Sequence, residues 1–107
     1  MENLELLSVE ELFSMLPPHL QKVEEFKCVC GKMCSQVVEY NFEFHNHYYA
    51  SGGGYNKYGI DYKSNGKLLV ISRISSNLKE VLVALIKSLI ELGYEDKLLP
   101  VRKEKIQ

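Results

Sequence analysis

A chain of 107 residues with 46% hydrophobic and 25% charged side chains can bury one core, so a single domain over residues 1–107 is expected. A net charge of −1 gives the molecule no overall pull toward nucleic acid or anionic lipid. Three cysteines cannot all pair internally, which points to a reduced, cytoplasmic protein.

The opening MENLELLSVEEL has neither a basic leader nor an unbroken apolar run, so it does not resemble a signal peptide. Its Ser8-Val9-Glu10-Glu11 is a capping box, and Val9, Leu12, Phe13 and Leu16 follow at helical spacing. The pair Pro17-Pro18 ends this helix, predicted over 8–16. The following PPHLQKVEE is read as a connector.

From residue 24 to 74 the period becomes alternating, and four strands are expected. In QVVEYNFEF, Val38, Tyr40, Phe42 and Phe44 share one face, with Val37, Glu39, Asn41 and Glu43 on the other. Asn65-Gly66 marks a two-residue hairpin turn pairing Ser64 with Lys67, hence Tyr62 with Leu69 and Ile60 with Ile71. A three-residue loop at Ser51-Gly52-Gly53 sets Phe44 opposite Ile60 and Phe42 opposite Tyr62. For the first strand, Cys28 opposite Val38 puts Phe26 opposite Tyr40, with GKMCS as the loop. One face then collects Phe26, Cys28, Val38, Tyr40, Phe42, Phe44, Ile60, Tyr62, Leu69 and Ile71.

Asn77-Leu78-Lys79-Glu80 is a second capping box opening a helix over 78–92, with Gly93 as its stop. Its longest apolar run, VLVALI, is far too short to span a bilayer, and no membrane contact is expected. Ten of its fifteen residues are apolar, more than one sheet contact needs. Either the first helix covers the surplus, or a homodimer forms through Val83, Ala84 and their neighbours. Residues 98–107 read as a loosely held tail. The fold expected is α+β, in order α-β-β-β-β-α, a four-stranded antiparallel meander with both helices on one face.

Cys28, Cys30 and Cys34, with His45 or His47, would make a three-sulfur, one-nitrogen zinc set. The deduced register separates His45 from Cys30 by about nine residues, on the order of 30 Å at strand rise. No metal and no cofactor are therefore assigned, and the protein is expected to fold without zinc. The glycines of SGGG lead into a strand rather than a helix, which argues against a phosphate cradle. Glu43 shares a face with His45 and His47 and could orient an imidazole, but no nucleophile converges on them. No catalytic residue is assigned, and the protein is read as a non-enzyme.

The segment HNHYYASGGGYNKYG, residues 45–59, holds four tyrosines and four glycines. Tyr, Ser, Gly and Asn are the composition of loops that engage protein surfaces. His45, His47, Tyr48, Tyr49, Tyr55, Asn56, Lys57 and Tyr58 are the candidate partner-binding residues, on a hairpin projecting past the main sheet. Lys57, Lys63, Lys67 and Arg73 beside the tyrosines make nucleic acid a second-ranked reading, weakened by so few cations. The expectation is a non-catalytic protein-binding module. In size and style it resembles the small inhibitors and adaptors encoded by phages and mobile elements. A small-ligand or nucleotide binder using the same His/Tyr surface, and a zinc module, are the alternatives.

Overall fold

The computed structural model describes residues 4–101. A 3-10 turn at Leu4–Leu6 precedes α1 (Val9–Ser14), and then come β1 (His19–Lys27), β2 (Met33–Tyr49), β3 (Tyr55–Ser64) and β4 (Lys67–Ile71). The chain continues into α2 (Leu78–Glu91) and a last 3-10 turn at Glu95–Lys97. The strands form one antiparallel sheet in the order β1-β2-β3-β4. The α-β-β-β-β-α meander expected from the sequence is the fold.

Both helices start where their caps place them. The Ser8 side chain accepts from the Glu11 amide at 3.1 Å, and Glu11 accepts from the Ser8 amide at 2.9 Å. Asn77 accepts from the Glu80 amide at 3.2 Å, but Glu80 turns away to pair with Arg73 at 2.8 Å, so the second box is half made. After α2, the amides of Gly93 and Tyr94 donate back to Ile90 and Leu89, with Gly93 at φ 93°.

The core unites Leu12 of α1 and Val81, Leu82, Leu85, Ile86 and Leu89 of α2 with Leu20, Tyr40, Ile60, Tyr62 and Val70 of the sheet. Val83 is also buried within the single chain, where α1 and the N-terminal turn pack on α2. The surplus apolar face of α2 thus has an intramolecular cover. The tail is anchored at its start: Leu98 and Val101 pack on the core, and the Leu99 amide donates to Met15. Residues 102–107 of the expected loose tail lie outside the described residues.

The strand pairings correct three expectations: the connector, the β1–β2 register and the β3–β4 pairing. HLQKV is strand rather than connector, because Leu20 meets Tyr40 and both are buried. Val38 therefore faces Lys22 instead of Cys28, and Phe26 faces Cys34. The slip is six residues, an even number, so each side chain keeps its face while moving along it. Phe26 stays on the core side but lies beyond the helices, 41% exposed. The β2–β3 register is as deduced, with Phe42 opposite Tyr62 and Phe44 opposite Ile60.

At the β3–β4 turn, Asn65 (φ 48°) and Gly66 (φ 83°) make the expected two-residue reversal, and Ser64 faces Lys67. A bulge then intervenes, and Val70 instead of Leu69 sits opposite Tyr62. The bulge buries Val70 and carries Ile71 to the outer face, opposite Asp61.

The molecule is long, with extents of 57 × 41 × 23 Å. Its radius of gyration is 17.0 Å, against about 13 Å for a compact chain of this length. β1 ends at His19 opposite Asn41, and β4 ends at Ile71 opposite Asp61, followed by one bridge from Tyr58 to Ser75. Past these points β2 and β3 continue alone to Tyr49 and Tyr55. This two-stranded arm outruns β1 by roughly 26 Å at strand rise. The β1–β2 hairpin overhangs the opposite end of the sheet. Among the described residues no helix is long and apolar enough to cross a membrane.

Candidate functional site

Strand alternation sorts the arm into two faces. Glu43, His45, His47 and Tyr49 of β2 look outward, away from the helices, and their partners are Asp61, Gly59, Lys57 and Tyr55 of β3. At the tip the rings of Tyr49 and Tyr55 stack, with centroids 5.2 Å apart and planes at 16°. The Lys57 ammonium stands 5.7 Å from the first ring centroid and 5.9 Å from the second. Cation and rings are thus held together by mutual attraction on an otherwise open surface. Next along the face, the imidazoles of His45 and His47 stack at 6.4 Å and 11°.

The root of the arm is different in character. Asp61 is 5% exposed although it lies on the outer face. Its Oδ2 is 3.0 Å from His45 Nε2, while its Oδ1 is buried with no hydrogen-bond partner. Glu43, directly across from Asp61, brings a second carboxylate, and one ligand atom from each of Glu43, His45 and Asp61 lies within 4.8 Å of the others. Ile71 and Ile74 wall a cleft of about 230 Å³ over His45, His47, Gly59 and Asp61. Gly59 lies opposite His45, and a Cβ there would meet only Ile74, at 3.6 Å.

The structure divides the eight candidate residues. It gathers His45, His47, Tyr49, Tyr55 and Lys57 on the outer face and puts Tyr48, Asn56 and Tyr58 on the other. Tyr58 stacks on Phe44 at 6.0 Å, is half-buried against the core, and exchanges backbone hydrogen bonds with Ser75. Phe13 of α1 meets both Phe42 and Phe44 edge-on, tying the helix to the base of the arm. Tyr48 folds toward the tip turn, its hydroxyl 2.3 Å from where a Cβ on Gly54 would stand.

Several sequence readings are corrected here. The partner of the His45 imidazole is Asp61 rather than Glu43. Asp61, Ile71 and Ile74 were not candidates from sequence. The deduced register already set Asp61 across from Glu43, and two acids face to face were the available signal. Ile71 could not be found without the bulge.

Cys28, Cys30 and Cys34 do not join the histidines. Cys34 and His45 lie eleven residues apart on the same strand, about 36 Å at strand rise. All three thiols are free, at the overhanging β1–β2 end. There the Cys34 thiol donates to the Lys32 carbonyl at 3.9 Å, and the neighbouring Cys28 and Cys34 thiols hold the Cys28 pKa down and push that of Cys34 up. The basic footprint is also smaller than the sequence implied. Lys67 pairs with Glu24 at 2.7 Å and Arg73 with Glu80, while Lys63 lies opposite Asn41, away from the tip; Lys57 is the cation seated on the Tyr49 and Tyr55 rings.

No family model matches this chain, and neither does any curated protein or solved structure.

Proposed function

We propose that the chain is a non-catalytic protein-binding module that grips a partner protein through the outer face of the β2–β3 arm. The observation that carries this reading is the stacked Tyr49–Tyr55 pair with Lys57 beside it, on a hairpin whose two outer edges lack a neighbouring strand at the tip. Stacked tyrosines present a large, already ordered amphipathic surface, so little side-chain entropy remains to be lost on binding. The free edges add unpaired backbone groups that a partner strand can meet. His47, in the same row, extends the contact surface toward the root. The cleft lining includes no serine, threonine or cysteine, which supports binding over nucleophilic chemistry for the His45–Asp61 pair. The biological role that fits is a small inhibitor or adaptor of the kind phages and mobile elements encode, working in the cytoplasm, where three free thiols persist.

The test is affinity purification from the source cells with wild-type chain and with the Tyr49→Ala, Tyr55→Ala double variant as baits. A stoichiometric partner retained by the first and lost from the second supports the arm. A partner retained equally by both sinks it. Recovery of nucleic acid or a small molecule in place of protein would favour the competing uses of the same surface.

A further inference from the structure

We propose that Glu43, His45 and Asp61, with His47 as fourth donor, bind a divalent transition-metal ion at the root of the arm. The pattern Glu43-x-His45-x-His47 puts three donors on one strand face, and Asp61 comes from the strand across. Two carboxylates directly opposite each other repel. Among the described residues no lysine or arginine forms an ion pair with either. Asp61 is the decisive group: its Oδ1 is buried without a partner, which is costly for a carboxylate and is relieved by a cation.

The geometry is close to what an ion needs. Three ligand atoms within 4.8 Å of one another can close onto a centre about 2.0–2.2 Å from each through modest side-chain rotation. His47, stacked parallel to His45, is the adjacent donor on the same face. Mixed imidazole and carboxylate donors select ions of the zinc, cobalt or manganese type over calcium, which takes oxygen ligands alone. Ile71 and Ile74 give the site one apolar wall. These donors lie on the sheet face away from the helix-backed core, so the metal fastens the arm without being required for folding. Metal binding is read on the isolated protein, so its failure is distinguishable from failure of the arm's partner reading, although His47 belongs to both surfaces.

The experiment titrates Zn²⁺, and separately Co²⁺ followed by its visible spectrum, into the full chain carrying Cys28→Ser, Cys30→Ser and Cys34→Ser. The expected result is one ion per chain and a raised melting temperature. His45→Gln and Glu43→Gln, both at solvent-accessible positions, each weaken binding by at least about tenfold. Asp61→Asn keeps the shape while removing the charge: the metal-free variant melts no lower than its parent and no longer responds to metal. The proposal is overturned if the thiol-free chain binds no metal saturably, or if affinity is indifferent to His45→Gln and Glu43→Gln. An Asp61→Asn variant that melts lower, with metal affinity intact, would reduce Asp61 to a structural partner of His45.

Discussion

Tyr62 is fully buried in β3, and its hydroxyl donates to the Pro17 carbonyl at 2.7 Å. Burial drives its pKa well above the ordinary tyrosine value, so it remains a neutral donor. This bond holds the Pro-Pro corner after α1 against the middle of the sheet. Tyr62→Phe strands a buried carbonyl and is expected to cost about 1–3 kcal/mol in denaturant unfolding. A second residue-scale knot joins Glu24 to Lys67 at 2.7 Å and to the Tyr40 hydroxyl. The Lys67 ammonium, then the Tyr40 hydroxyl, hold the Glu24 carboxyl below its usual range. Since the folded pKa is depressed, this stabilisation is present above the ordinary carboxylate value of about 4.3 and is lost as pH falls through the folded pKa. The stability gap between wild type and Glu24→Gln should be full at neutral pH and close in acid. Urea midpoints across a pH series check this, and a gap that widens in acid would contradict it.

Among the elements, the arm depends on its tip turn. Gly52, Gly53 and Gly54 all have positive φ, and Gly54 (φ 84°, ψ 123°) has Tyr48 folded toward it as well. Gly54→Ala should strain the turn by about 1–3 kcal/mol. Amide exchange is expected to quicken at Tyr48–Tyr55, with α2 unchanged, because local openings of a hairpin tip need not unfold the core. Uniform acceleration across the chain would mean that the arm and core form one cooperative unit. The helices and two of three hairpins were legible because caps, Asn-Gly and alternation are local signals. The start and register of β1 were not, since only the distant Tyr40 tells Leu20 that it belongs in a strand. The bulge was equally hidden: Leu69 and Val70 are both aliphatic, and the choice of which to bury is made by the packed core. The tyrosine and histidine members of the site were visible as composition. Their division between two faces needed the strand parity, and Asp61 needed the pairing of two acids to be taken as a signal.

For the molecule as a whole, the elongated shape separates a helix-backed core from a bare two-stranded arm. Solution scattering should give a radius of gyration near 17 Å; a value near 13 Å would mean the arm lies folded onto the core. With Val83 buried in its own chain, α2 does not need a second copy to cover it. Core and arm should then respond to mutation differently. Leu85→Ala, at a fully buried position, is expected to cost about 2–5 kcal/mol of stability. The measurement that tests the central claim most directly pairs binding with melting for the Tyr49→Ala, Tyr55→Ala variant, using the partner recovered by affinity purification. The account expects a melting transition shifted by no more than about 0.5 kcal/mol, as for exposed positions. It also expects Kd to rise by two orders of magnitude or more, since interface tyrosines can each contribute about 2 kcal/mol. Unchanged binding, or loss of the fold on a par with Leu85→Ala, would contradict it.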